Sequence, residues 1–245
     1  MLQRILLVPD SHHPYVDRRA WSLFLKVGKA FKPDILVAIG DLADFYAVSS
    51  HSKEPRRIAG LKDELKAVHH ALDELDALGA KDKRFVAGNH EDRFTRYLRD
   101  KAPELFEVTS IPDLLQLKAR GWAYTPYKSH TKIGRMHFTH DVGAAGRNAT
   151  FKALDTYQHS VVTGHAHRLQ YIVEGNAVGE YKLSAQFGWL GDASQIDYMH
   201  RANVNKNWAL GFGIGHYDAE SGIVYLTPVP IVKYSCVVEG RLYKT

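Results

Sequence analysis

Residues able to bind cations recur along the chain in five short clusters: Asp10-Ser11-His12, Gly40-Asp41-Leu42-Ala43-Asp44, Gly88-Asn89-His90-Glu91-Asp92, Phe138-Thr139-His140-Asp141 and Gly164-His165-Ala166-His167. Their donors are carboxylate and amide oxygens and imidazole nitrogens, with no thiolate among them. That chemistry suits manganese, iron, zinc or nickel and does not choose among them. Two divalent cations held close together need a shared anionic bridge and several neutral or anionic ligands on each side. The clusters contain both kinds of donor.

In this order the clusters resemble the calcineurin-like metallophosphoesterase family, whose signature is D-x-H, GD-x-x-D, GNH-[DE], a lone His and GH-x-H. The resemblance spans residues 10–167, about two thirds of the chain. It implies a metal-dependent phosphoesterase with two divalent ions, manganese foremost. Asp10, His12 and His167 would hold one ion, Asn89, His140 and His165 the other, and Asp41 would bridge them. Such a pair can hold a bridging hydroxide for in-line attack at phosphorus. His90, beside Asn89 but not a ligand in the family pattern, would protonate the leaving oxygen, with Asp44 orienting it. The small size and the segment Gly188-Trp189-Leu190-Gly191-Asp192 resemble bacteriophage-encoded members, which favours phosphodiesters of DNA or RNA over simple monoesters. A phosphomonoesterase or small-nucleotide hydrolase, and a non-catalytic metal-binding scaffold, are the other readings.

The elements that must position these residues are legible from apolar spacing. Residues 5–8, 35–39 and 84–87 are short apolar runs that read as strands, each followed by a polar cluster. Between them, residues 17–31 carry Trp21, Phe24, Leu25 and Phe31 at near-helical spacing, and residues 61–78 form an amphipathic stretch stopped by Gly79. A third helix is expected over residues 91–101, further strands over 135–139 and 160–163, and a β-rich portion from residue 171 onward. Alternation of strand and helix predicts an α/β domain with a largely parallel sheet. A central β-sandwich flanked by helices is what the family resemblance adds. In α/β sheets ligands bind beyond the carboxyl ends of the strands, so five dispersed clusters can converge at one edge.

Other chemically capable residues have plainer uses. Nine histidines, His13 and His70 among them, match no motif position. Glu91 and Asp92 open a helix, where a favourable dipole interaction accounts for them. Arg93, Arg96 and Arg99 recur every three residues and can grip substrate phosphates; alternatively, Asp92 pairs with Arg96 at i,i+4 on a solvated face. Phe187, Trp189, Tyr198 and Trp208, with His200, Arg201 and Lys206, can stack on bases and meet phosphates. Core packing or a homodimer contact accounts for such rings equally well.

Bulk properties bound these readings. The 245 residues are 45% hydrophobic and 24% charged, enough for one packed domain and against a mainly disordered chain. A formal charge of +5 favours anionic partners only weakly. Cys236 is the single cysteine, so no intrachain disulfide forms and a reducing compartment is expected. The first apolar run is too short for a signal peptide or a membrane span, which predicts a cytoplasmic protein, in the host if bacteriophage-encoded.

Overall fold

A computed structural model describes residues 2–51, 53, 59–195 and 207–245. The chain opens with β1 (Gln3–Val8), α1 (Arg18–Phe31), β2 (Ile35–Ala38), α2 (Leu61–Asp76), β3 (Asp82–Val86), α3 (Glu91–Lys101), the single turn α4 (Ile111–Leu114) and β4 (Trp122–Thr125). It continues through β5 (Thr131–Ile133), β6 (Met136–Phe138), α5 (Ala149–Tyr157), β7 (Val161–Val162), β8 (Leu169–Gly175) and β9 (Tyr181–Phe187). After these come β10 (Gly211–Asp218), β11 (Ile223–Pro230) and the hairpin of β12 (Ser235–Val238) with β13 (Arg241–Lys244). No helix among the described residues is long and apolar enough to cross a membrane.

Two sheets pack face to face. The first has the order β11-β10-β1-β2-β3-β4, with β1 to β4 parallel and β10 and β11 antiparallel; the second runs β5-β6-β7-β9-β8. The continuous apolar runs of β1 and β2 are explained by burial on both faces. Leu6, Val8, Leu36 and Ala38 point to the helices, while Ile5, Leu7, Ile35 and Val37 point between the sheets. Met136, Phe138, Val162, Leu183 and Phe187 meet them from the second sheet. This is the α/β sandwich flanked by helices that the family resemblance implied.

Local chemistry sets the helix ends. Asp17 caps α1, its Oδ1 accepting from the backbone N–H of Arg19 and Ala20 at 3.0 Å each. Such a cap typically stabilises by about 1 kcal/mol. The helix buries Trp21, Phe24, Val27 and Phe31 and ends at Lys32, which adopts a left-handed φ of 52°. The expected strands and helices are present, α3 with the expected bounds and the others with ends shifted by at most two residues, as for α2, which ends at Asp76 instead of Leu78. β4, β5, α4 and α5 add to the expected set; they are short, and α5 lacks a side-chain hydrogen bond at its N-cap.

Phe138 is fully buried between the sheets and leads directly into Thr139 and His140. Phe138→Ala should lower the unfolding free energy by about 3–5 kcal/mol. Urea denaturation of metal-free protein measures this; a loss under about 1 kcal/mol would show that the sheets collapse around the gap.

Candidate metal centre

All five polar clusters converge beyond the strand ends, where the turns are forced into uncommon backbone conformations. His12, Asp41, His165 and His167 have φ of 52°, 52°, 66° and 56°, the left-handed region that non-glycine residues rarely occupy. Four such residues around one centre indicate strain held by the surrounding packing, a pattern associated with functional sites. Gly88 is needed for close approach: a Cβ there would stand 2.1 Å from Asp41 Oδ1.

The donor atoms fall into groups. In the first, His12 Nε2 lies 3.2 Å from His167 Nε2, which is 3.1 Å from Asp10 Oδ2. In the second, His140 Nε2 is 3.2 Å from Asp41 Oδ2, and Asn89 Oδ1 is 2.9 Å from His140 Nε2 and 2.8 Å from His165 Nδ1. A further group joins His12, Asp41 and His90, so Asp41 belongs to both sides of the site. Ligands about 2.1 Å from one octahedral ion lie about 3.0 Å from their neighbours. The observed spacings match that shell, and Asp10 Oδ1 is buried with no hydrogen-bond partner among the described residues. Hence the donor set fits divalent cations.

A second layer orients the donors. His140 Nδ1 faces the Ile39 carbonyl at 2.8 Å, which fixes its N–H there and presents Nε2 to the centre. Trp189 stacks on His167 with centroids 4.8 Å apart and planes 11° apart, and Trp208 meets the same ring edge-on at 4.2 Å. Glu91 is fully buried and accepts three backbone N–H groups: Asp41 at 2.9 Å, Ala43 at 2.9 Å and Gly88 at 2.7 Å. One carboxylate thus ties together two of the clustered loops. Glu91 does open α3, as the dipole reading has it, and the three amide bonds add a role whose only sequence signal was the acidic position closing GNH-[DE].

The electrostatics are those of charge taken out of water. Burial raises carboxyl pKa values and lowers those of histidine. Burial opposes ionisation of Asp41, yet the charge and hydrogen bond of His140 and the nearby His90 outweigh it and hold the carboxyl well below the usual range. Burial likewise works against His140, but Asp41 and Asp10 drive its ring up to about 10. Glu91 is pushed up to about 7 by burial and by the charge of Asp41. His12 and His165 are lowered, chiefly by burial.

His90 meets the His12 ring edge-on, with centroids 4.4 Å apart, but its nitrogens have other partners. Its Nδ1 lies 3.0 Å from the Asp44 carbonyl and 3.4 Å from Asp44 Oδ2, while Arg93 Nη2 is 3.1 Å from its Nε2. Arginine can only donate, so in this arrangement Nε2 accepts and the ring proton sits on Nδ1, facing Asp44. A guanidinium on Nε2 disfavours a cation at the same atom. Arg93 also donates to Asp44 Oδ1 at 3.1 Å, placing it inside the His90–Asp44 pair. Arg96 forms the i,i+4 pair with Asp92 at 3.0 Å, and its side chain is 46% exposed.

The base-stacking reading needs correction for two of its rings. Phe187 is 1% and Trp189 3% exposed, so both serve packing. Tyr198, His200, Arg201 and Lys206 lie outside the described residues.

Fold and site together place a buried set of cation-binding donors at the edge of an α/β sandwich. The chain belongs to the calcineurin-like phosphoesterase family, whose model matches residues 3–217. It is 25% identical to the gene 54 protein of Mycobacterium phage D29 and 24% identical to that of Mycobacterium phage L5, over the full length of each. Among solved structures, Vps29 from Chaetomium thermophilum is similar with a TM-score of 0.52 and 13% identity, covering 99% of this chain and 98% of its own. Vps29 from Cryptosporidium parvum gives 0.51 and 16%, covering 98% and 94%. At these identities the likeness concerns the fold.

Two expected outcomes follow from the geometry. Glu91→Gln places an amide NH₂ against backbone donors and should cost about 1–3 kcal/mol in metal-free stability. Equal denaturation midpoints for both proteins in EDTA would show that the three-amide tie is dispensable. For His140 the sign is fixed by its direction of shift: protonated below about 10 in the metal-free protein, it must lose that proton to bind a cation. Manganese affinity should therefore rise with pH through neutrality, with about one proton released per ion at this ring. Calorimetry in buffers of different ionisation enthalpy counts the protons, and zero release would refute the protonated His140.

Proposed function

We propose that the chain is a dinuclear phosphoesterase that hydrolyses phosphodiesters of nucleic acid or nucleotides. The observation that supports this reading best is the shared membership of Asp41 in donor groups on both sides of the site. Asp10, His12 and His167 would hold one cation and Asn89, His140 and His165 the other, with Asp41 common to both. Two divalent ions there, manganese foremost, would neutralise phosphate charge and activate the attacking water.

The protein's own residues supply the rest. His90 protonates the leaving oxygen, and Asp44 keeps the ring aimed through Nδ1. Its Nε2 becomes available when the Arg93 guanidinium moves from that nitrogen to the incoming phosphate, an acceptor that suits its forked donors better; Nε2 then takes up a proton from water, the Nδ1 proton staying directed at Asp44, and that second proton is the one passed to the leaving oxygen. Arg96 stands exposed beside the Asn89 loop, within 3.4 Å of the Asn89 carbonyl, and can meet the next phosphate of a strand. A cytoplasmic setting accords with the one free, buried thiol, Cys236, and with relatives encoded by phages.

Removal of the shared carboxylate and of the acid should separate binding from proton transfer. Asp41→Asn should abolish turnover and lose at least one metal by elemental analysis. His90→Ala should keep its metals and slow hydrolysis of an alkyl phosphodiester by roughly 10²–10⁴-fold. The loss should be smaller on a nitrophenyl ester, whose leaving group needs little protonation. Equal losses on both esters would argue for a positioning role, and loss of metal in His90→Ala would make His90 a ligand. Side-by-side rates on a phosphomonoester, a bis-ester, a cyclic nucleotide and labelled DNA test the substrate class. Preference for the monoester would overturn the diesterase reading.

A further inference from the structure

On the helix side of the first sheet, α1 and α2 wall a cavity of about 490 Å³, within the range of small-ligand pockets. Its floor is apolar, made by Val16, Trp21, Leu25 and Ala67. Its rim is cationic, with Arg18, Lys26 and Lys29 against one carboxylate, Glu74, and Lys26 Nζ also donates to the Lys244 carbonyl at 2.7 Å. Glu74 is already engaged, accepting from Trp21 Nε1 at 2.7 Å and lying 3.6 Å from His70 Nε2. The rim therefore carries positive charge that its own carboxylate does not balance.

One residue lining the cavity, His13, carries an unmet hydrogen-bonding atom. His13 is 5% exposed, and its Nε2 is buried without a partner among the described residues. Leaving such an atom unsatisfied is costly, so it indicates a ligand group or water that completes it. An apolar aromatic floor with one buried polar atom matches a flat heteroaromatic base, and a rim of lysine and arginine matches a phosphate.

We infer that this cavity binds a mononucleotide, its base on the Trp21 floor hydrogen-bonded to His13 Nε2 and its phosphate among Arg18, Lys26 and Lys29. The site lies outside the donor groups of the metal centre but is joined to them through the backbone. The N–H of His13 donates to the Leu42 carbonyl at 2.8 Å, and the N–H of Asp44 donates to the His13 carbonyl at 3.0 Å. An occupant therefore rests against the segment that leads to Asp41 and Asp44. Neither the metals nor hydrolysis is needed for this binding.

Calorimetric titration of the whole chain in EDTA with AMP, adenosine and inorganic phosphate tests the inference without turnover. AMP should bind with one-to-one saturation, with adenosine and phosphate each weaker by about tenfold or more. The double variant Lys26→Glu with Lys29→Glu should weaken AMP by about tenfold or more, as should Ala67→Phe, which fills the cavity. Asp41→Asn should leave AMP binding unchanged. Circular dichroism confirms that each variant is folded, and hydrolysis of a small nitrophenyl diester by the manganese-loaded lysine variant should stay near normal. Absence of saturable AMP binding, phosphate binding as tight as AMP, or AMP binding lost in Asp41→Asn but kept in the lysine variant would each overturn the assignment.

Discussion

The rest of the structure depends on how four buried carboxylates are compensated. Asp10, Asp41, Asp44 and Glu91 are each at most 1% exposed and lie within one small region of the interior. An isolated ionised carboxylate in such surroundings costs several kcal/mol, so each must be paired, hydrogen-bonded or bound to a cation. Asp44 is met by His12, His90 and Arg93, and Glu91 by three backbone amides. Asp10 and Asp41 face imidazoles whose other contacts leave their ring nitrogens directed at the centre. Cations would complete that pattern where further protein groups would have to displace the histidines. Burial is then an advantage, because water that would screen the charge of a bound phosphate is held away.

Such an arrangement needs a rigid support. The left-handed φ values of His12, Asp41, His165 and His167 are unfavourable by themselves, and the turns have few residues with which to relax. The turns are anchored in strands buried on both faces, so displacing a donor disturbs the apolar layers behind it. Backbone bonds link one turn to the next: Ser11 and His12 donate to the Asp41 carbonyl at 3.0 and 2.9 Å, and Gly164 donates to that of His140 at 2.9 Å. The donor groups are thus positioned by one another's main chains as well as by their strands.

Much of this was legible in the sequence, for a physical reason. Strands buried on both faces must be continuous apolar runs, and the polar residue that ends each run marks the sheet edge where ligands gather. The positions of Asp10, Asp41, Asn89, His140, His165 and His167 follow from that rule together with the order of the clusters. Contacts between distant segments were not legible. Arg93 meets Asp44 across 49 positions, and nothing local distinguishes it from the exposed Arg96 three residues later. Glu91 looks like any acid opening a helix, because two of its three partners, Asp41 and Ala43, lie on another turn. The strand β5 and the helix α5 were missed since so few residues carry no decisive period.

The chain beyond the motif core also contributes to the centre, which the clustering of motifs before residue 167 conceals. Trp189 bridges in parallel to Asp10 and to Leu210, and Val16 pairs with Gly191, so the segment following β9 is stitched to the loop after β1. Gly191 has no Cβ for a steric reason, since one there would lie 2.2 Å from the Trp189 ring. That close approach holds the indole flat against His167, while Trp208 closes the ring's other contact edge-on. His167 has a left-handed backbone, and its Nδ1 has no hydrogen-bond partner among the described residues. Its ring is therefore held in place by aromatic packing, where His140 is held by the Ile39 carbonyl. The two sides of the centre reach the same end, a fixed imidazole with one nitrogen turned inward, by different physical means.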